Sequence, residues 1–468
     1  MRNKDFFLNS IWFGIVPRLP SILNILLLPL ITPYLSQSDY GFWGLITAFS
    51  SVFLSLGMLG LDIHLSNSFY EYPQKFYYVW GRIFFYITIS SFLLAIVNSV
   101  VVFSLLEKSN YRFAVSIVSS FPILSNVFIL FANQLYIFKA KPKVFVTRVL
   151  ISNLIGIIIL YITSVKFKLG YISFILSYGS IALFNSILLG YQLFSVEKLI
   201  IVPDFRIRPI LLMLKQSIFV IIHGLGFILL TSLPRIIMDW REVNINNIGL
   251  VMSGFSIGEY VNVILLGFAT AVVPKIQKYY REKNFIGLKN VFIFIQVSGV
   301  LVVALYATWL HDVFIFLVRN RDLYSAKYFA QFSLFNNTFL PFYVLLSSIV
   351  FIQKKTKKLL WLVFFPGLIN AILAWFLIPL FSFKIISLTS FISGWTLLII
   401  PLFVKYYNEM INEIFGSFIF IIKMGIIVFA IFALTLLIKD FSLVIRLFWS
   451  FILIISYSYL LYFKKIIL

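Results

Sequence analysis

The sequence predicts an all-α polytopic membrane protein with about 14 transmembrane helices, two six-helix bundles followed by two additional helices. Three observations predict it. The 468 residues are 61% hydrophobic and 12% charged, with a mean hydropathy of +1.02, whereas soluble domains run near half apolar and a quarter charged. Stretches long enough to cross a hydrocarbon core, roughly 20 residues each, follow one another from end to end. Each stretch is continuously apolar, without the period-two alternation of a barrel strand, so helices are the spanning form.

Taken in order, the stretches fall at 6–35, 42–62, 80–105, 113–138, 146–164, 170–194, 212–238, 246–273, 290–318, 328–352, 359–380, 385–404, 417–438 and 441–463. The first follows Met1-Arg2-Asn3-Lys4, as in a signal peptide. It is too long for an apolar signal core and lacks a small-residue cleavage site, so we read it as a retained helix. Pro17, Pro20, Pro29 and Pro33 predict a kink in it. The longest connections, near 63–79, 195–211 and 274–289, leave no room for a soluble catalytic domain. The expected organisation is a bundle over 1–194, a linker over 195–211 carrying Pro203, Asp204, Arg206, Arg208 and Pro209, a second bundle over 212–404, and two further helices over 405–468.

Charge sets the expected orientation. The net charge is +22, but Lys and Arg lie in short loops, so the positive-inside rule accounts for it and no nucleic-acid partner is expected. With the N-terminus in the cytoplasm, 24 of the 38 Lys and Arg fall inside, ten outside and four within helices. Both termini are then cytoplasmic. There is no cysteine, and His64, His223 and His311 are far apart, so neither a metal site nor a cofactor is expected.

Two stretches carry a resemblance. Ser38-Asp39-Tyr40-Gly41-Phe42-Trp43-Gly44-Leu45 opens the second helix, and Gly57-Met58-Leu59-Gly60-Leu61-Asp62 closes it. In the second half Pro234-Arg235-Ile236-Ile237-Met238 looks like an Asp-Arg-hydrophobic run with Pro in place of Asp. Val273-Pro274-Lys275 and Phe285-Ile286-Gly287-Leu288-Lys289 look like a proline and a short cytoplasmic helix after helix eight. With the six-plus-eight layout, these resemble Wzx-type O-antigen and capsule repeat-unit flippases of the multidrug/oligosaccharidyl-lipid/polysaccharide exporter superfamily. The resemblance implies a transporter rather than an enzyme, placed in a bacterial inner membrane. It would move undecaprenyl-pyrophosphate-linked oligosaccharide across that membrane by alternating access, alongside a polysaccharide polymerase and chain-length proteins of lipopolysaccharide or capsule biosynthesis. The last two helices would add a lipid-tail groove.

Charged groups at membrane depth are costly and are candidate sites by default. Arg18 lies about 18 Å along its helix, where a guanidinium could fork-bind pyrophosphate; a structural pair with a buried acid is the plainer role. Arg235 is the second substrate-binding candidate, with an ion pair to Asp239 four residues on as its alternative. Glu259 lies roughly 20 Å along helix eight, where a carboxylate that takes up a proton or a sodium ion would suit ion coupling; a hydrogen bond to a neighbouring helix, or pairing with Arg18, is the alternative. Asp62, His64, His223 and Asp239 are gate or secondary candidates, His223 as a proton carrier, against ordinary helix-end and core roles. Lys423 and Arg446 are expected to snorkel, and Trp12, Tyr34, Tyr77, Tyr78, Trp80, Tyr406 and Tyr407 to anchor at the interface. The Lys354–Lys358 run is expected to meet anionic membrane lipids.

Two other readings remain open at this stage. A membrane-embedded glycan polymerase or ligase normally carries a large outer loop, absent from this pattern. A drug/cation antiporter of the same superfamily would be poorly served by a basic cavity, which repels cations.

Overall fold

The computed structural model describes residues 19–71, 75–106, 109–139 and 141–463. Helices account for its regular structure, and no strand occurs among the described residues. Among the described residues, thirteen helices are long and apolar enough to cross a membrane, and a shorter apolar helix, Leu19–Tyr34, precedes them. Each matches one of the fourteen apolar stretches. Arg18 and Pro17 lie outside the described residues.

Continuous apolar sequence makes these helices, and local chemistry breaks four of them. Arg112–Val118 gives way to Phe121–Phe138 at Ser119-Ser120, just before Pro122. Ile207–Thr231 is separated from Leu233–Trp240 at Ser232, just before Pro234, and Lys327–Asn336 from Leu340–Ile352 just before Pro341. In each case proline removes a helical donor and crowds the preceding turn. The fourth break, a 3₁₀ turn at Glu259–Val261, has no proline. Pro274 lies inside the Asn262–Arg281 helix, and Phe285 opens the 33-residue helix Phe285–Leu317. The separate short helix expected at Phe285–Lys289 is therefore the first turn of a long one.

The chain forms two compact units, Met1–Ile236 and Ile237–Leu468. In the first, a core around Trp80, Phe84, Phe131 and Tyr136 joins the Phe76–Leu105, Phe121–Phe138 and Tyr171–Tyr191 helices. Trp80 is fully buried, and its indole N–H reaches Leu65 O and Ser68 Oγ at 3.1 Å. It is a core residue rather than an interface anchor, because the preceding Asp62–Glu71 helix supplies its acceptors. Tyr136, Gln192, Glu197, Lys139 and Tyr77 form one polar network at the lysine-rich end. Burial opposes ionisation of Glu197, but hydrogen bonds from Lys139 and Tyr136 outweigh it and hold the carboxyl below its usual range.

In the second unit, Phe285–Leu317 packs against the Asn262–Arg281, Ile419–Ile438 and Leu443–Phe463 helices. Arg446 is 9% exposed, ion-pairs with Asp312 and lies 4.9 Å from the Trp309 ring. It does not snorkel to the surface, because a counter-ion waits on a neighbouring helix. A short amphipathic helix, Lys405–Phe415, buries Tyr407, Met410, Ile411, Ile414 and Phe415. Tyr407 is fully buried and donates to Lys358 O at 2.8 Å, so it too belongs to the core.

Candidate functional site

The first unit places one motif on the other. Asp39 closes a capping box with Ser36 at the start of the Gln37–Gly57 helix. Its second oxygen, Oδ1, accepts from Tyr171 N at 2.7 Å, at the start of the Tyr171–Tyr191 helix. Gly170 makes this approach possible: its φ is +57°, and a Cβ there would lie 2.2 Å from Asp39 Oδ1. Trp43 stacks on Phe174 with ring centroids 5.3 Å apart and meets Tyr178 edge-on. The Ser-Asp-Tyr-Gly-Phe-Trp stretch therefore locks two helices together through a shared carboxylate and aromatic stacking.

A neighbouring stripe of the same helix is small and polar. Gly44, Thr47, Ser51 and Ser55 recur every three or four residues, the spacing of one helical stripe. Ser51 Oγ donates to Ser232 Oγ at 2.9 Å, and Gly224 comes so close that a Cβ there would lie 3.1 Å from Ser55 Oγ. The Gln37–Gly57 and Ile207–Thr231 helices thus run alongside one another on a seam of hydroxyls and glycines.

Arg235 sits at one end of this seam. Its guanidinium reaches Gly44 O at 3.4 Å, Thr231 O at 3.2 Å and Ser232 Oγ at 3.5 Å. These acceptors carry no formal charge; they aim the side chain. Asp62 and His64 lie at the other end, past a turn in which Leu59 and Gly60 adopt positive φ. His64 Nε2 lies 3.2 Å from Met213 O, which ties the turn to the Ile207–Thr231 helix. Asp62 opens the Asp62–Glu71 helix; burial pushes its carboxyl up, opposed by the backbone N–H groups of Asp62 and Ile63 and by His64. His223, 8% exposed, lies on the same helix as Met213 and meets the Phe227 ring edge-on at 5.4 Å. Four of the predicted residues, Asp62, His64, His223 and Arg235, thus line up along one helix pair. Composition alone pointed to the charged ones; the serine stripe between them was legible only as a spacing of small residues.

The second unit holds Glu259 and Asp239. Glu259 is exposed at the corner between the Ile245–Gly258 and Asn262–Arg281 helices. At this break Ile257 O accepts from Tyr306 Oη at 2.9 Å. Gly254 and Gly258 hold this corner against the 321–336 segment: a Cβ at either would lie within 2.4 Å of a carbonyl oxygen there. A mid-helix 3₁₀ stretch often marks a hinge or a sequence under strain. Asp239 is half-buried, and burial pushes its carboxyl up, a direction that a close cation would oppose. No cluster of three or more His, Asp or Glu side chains suited to a metal ion occurs among the described residues.

No protein-family model matches this sequence, and no curated protein matches it. Solved structures do match it. The lipid II flippase MurJ in an inward closed conformation superposes with a TM-score of 0.67 at 15% identity, covering 98% of this chain and 100% of that one. An inward-facing multidrug resistance MATE family transporter of the MOP superfamily gives 0.61 at 13% identity over 83% of this chain and 96% of its own. A MOP superfamily transporter from Pyrococcus furiosus, described as having a binding pocket of reverse polarity, gives 0.53 at 14% identity over 84% and 96%. The likeness is one of fold: a multi-pass membrane protein built like the transporters of this superfamily.

Proposed function

We propose that this protein is a flippase that moves undecaprenyl-pyrophosphate-linked oligosaccharide repeat units from the cytoplasmic to the outer leaflet of a bacterial inner membrane. The observation that carries this reading is the extent of the fold likeness. Coverage of 98% of the chain by a lipid II flippase takes in the final helices Ile419–Ile438 and Leu443–Phe463, whereas the MATE structures cover 83–87% of it. A substrate with a polyprenyl tail gives the extra helices a use that a small cation does not.

In this reading Arg18 and Arg235 neutralise the pyrophosphate. Arg235 suits the task because a guanidinium forks onto phosphate oxygens, and its contacts to Gly44, Thr231 and Ser232 aim it along the seam. Glu259 carries the proton or sodium coupling of an alternating-access cycle, at a corner where the helix already departs from α geometry. Membrane lipids meet the lysine-rich side, where Lys355 and Lys358 lie over Tyr406.

The test is a deletion strain carrying either the wild type or Arg235→Ala at matched protein levels. Loss of surface polysaccharide with lipid-linked repeat units accumulating on the cytoplasmic leaflet is the expected result for the variant. Undiminished polysaccharide would refute the role of Arg235. The MATE likeness keeps a drug/cation antiporter as the second reading. Protection from cationic toxins, with glycan export intact after deletion, would select it instead.

A further inference from the structure

The second unit carries a cleft that the transport reading leaves unused. It encloses about 540 Å³ between the 241–244 loop and the turn at Ser382, within the range of small-molecule sites. The helix that ends at Phe381 begins beyond the Lys354–Lys358 run, so the cleft opens on the face opposite those lysines.

Its lining mixes one broad aromatic face with free polar groups. Trp240 is 57% exposed on one wall, and Ile378, Pro379 and Phe383 form another. The Asn247 amide and the exposed Glu242 carboxylate line the cleft and make no side-chain hydrogen bond among the described residues. Arg241 also lines it, held with its guanidinium 3.9 Å from the Trp375 ring centroid and Nη2 2.9 Å from Trp375 O.

From this lining we propose an outward-facing saccharide subsite that receives the sugar portion of the substrate; the inference rests on the flippase reading. An indole face covers the C–H face of a pyranose ring. An amide that both donates and accepts, beside a carboxylate that only accepts, matches adjacent ring hydroxyls. The alternative chemistry, a phosphate of a lipid headgroup, fits less well. Glu242 would lie against the anion, and Arg241, the cation of the lining, is already directed at Trp375.

The probe is the soluble oligosaccharide released by mild acid from the host's own lipid-linked precursor, with its phosphates removed. It is titrated onto the full chain in nanodiscs and followed by saturation-transfer NMR. Saturable binding is expected, weakened at least tenfold by Trp240→Ala and Asn247→Ala and largely retained by Trp240→Phe. Equal binding by wild type and Trp240→Ala, in variants with wild-type unfolding temperature, would overturn the subsite. So would displacement of the sugar by glycerol phosphate. If the sugar fails to bind a protein that still restores export, the subsite alone is wrong. If the sugar binds at Trp240 but deletion leaves export intact, the subsite stands and the flippase reading falls.

Discussion

Arg235 Nη1 lies 3.4 Å from the carbonyl oxygen of Gly44. The two residues are 191 positions apart, and each belongs to one of the sequence motifs, so the first unit folds the motifs onto one another. The contact is longer than a charge-assisted hydrogen bond of about 2.7–2.9 Å, and so are the contacts to Thr231 and Ser232. They set the direction of the guanidinium along the seam. Arg235→Lys keeps the charge but cannot fork. Export in that variant is expected to fall about tenfold, roughly the effect of 1.4 kcal/mol, while Arg235→Gln abolishes it. Pulse-labelled surface polysaccharide at equal protein levels measures both, and identical rates for Lys and Arg would show that bidentate geometry is irrelevant.

Asp39 gives a contrasting expectation. Although acidic and part of the motif, its oxygens accept from Ser36 N and Oγ on one side and from Tyr171 N on the other. Asp39→Ala uncaps two helices, each cap being worth about 0.5–2 kcal/mol. The unfolding temperature should drop clearly, and Asp39→Asn, which keeps an acceptor for Tyr171, should recover part of the loss. Export per folded molecule should stay near wild type in both. A variant that folds normally but does not transport would move Asp39 from scaffold to site.

The spans were legible because hydrocarbon-length apolar runs need no tertiary information. Breaks next to Pro122, Pro234 and Pro341 follow from proline chemistry. The turn at Glu259–Val261 does not, since its determinants are the close approach of Gly254 and Gly258 to a distant segment and the hydroxyl of Tyr306. Side-chain roles failed for the same reason. Depth along a helix marked Arg446 as a snorkeller and chain position marked Trp80 and Tyr407 as interface anchors, yet each is buried against a partner that only folding supplies. The Lys405–Phe415 helix was readable from Tyr407, Met410, Ile411 and Ile414 at helical spacing, a pattern shorter than any span.

The Arg446–Asp312 pair joins the Leu443–Phe463 helix to Phe285–Leu317. The arginine side chain is 11% exposed and its partner 48%, so removing the aspartate strands a largely buried cation. Asp312→Ala should therefore destabilise the protein by about 1–3 kcal/mol, more than Arg446→Met, which removes the cation and keeps the apolar stem. Thermal unfolding in nanodiscs ranks the two. The reverse order would mean that Asp312 is solvated well enough for the pair to matter little.

Asp204 ties the linker to the Phe76–Leu105 helix. It accepts two hydrogen bonds from the Arg206 guanidinium at 2.8 Å and lies 3.1 Å from Arg82 Nε. The Arg206 hydrogen bond, with Arg82 adding to it, holds the carboxyl well below its usual range. A carboxylate depressed in this way contributes stability above about pH 4, the ordinary aspartate value, and loses it as pH falls further. At neutral pH, Asp204→Asn should release the strap and speed tryptic cleavage after Arg206. Cleavage should occur in inverted membrane vesicles and not in right-side-out ones if the linker is cytoplasmic. Equal cleavage from both sides would overturn the expected orientation.

Asp239 titrates in the opposite sense. Burial raises its carboxyl above the ordinary aspartate range, so the folded protein takes up a proton more readily than the unfolded chain. Stability from this residue is complete below about pH 4 and is lost as pH rises through the elevated folded value. Asp239→Asn removes the cost of a half-buried charge and should raise the unfolding temperature by a few degrees at pH 7.5, with the gain shrinking to nothing as the wild type protonates on acidification. A gain that persisted unchanged at pH 4 would place its origin in packing rather than charge. If Asp239 also serves the transport cycle, the more stable variant should export more slowly at pH 7.5, and measuring both properties on one set of membranes separates a structural carboxylate from a working one.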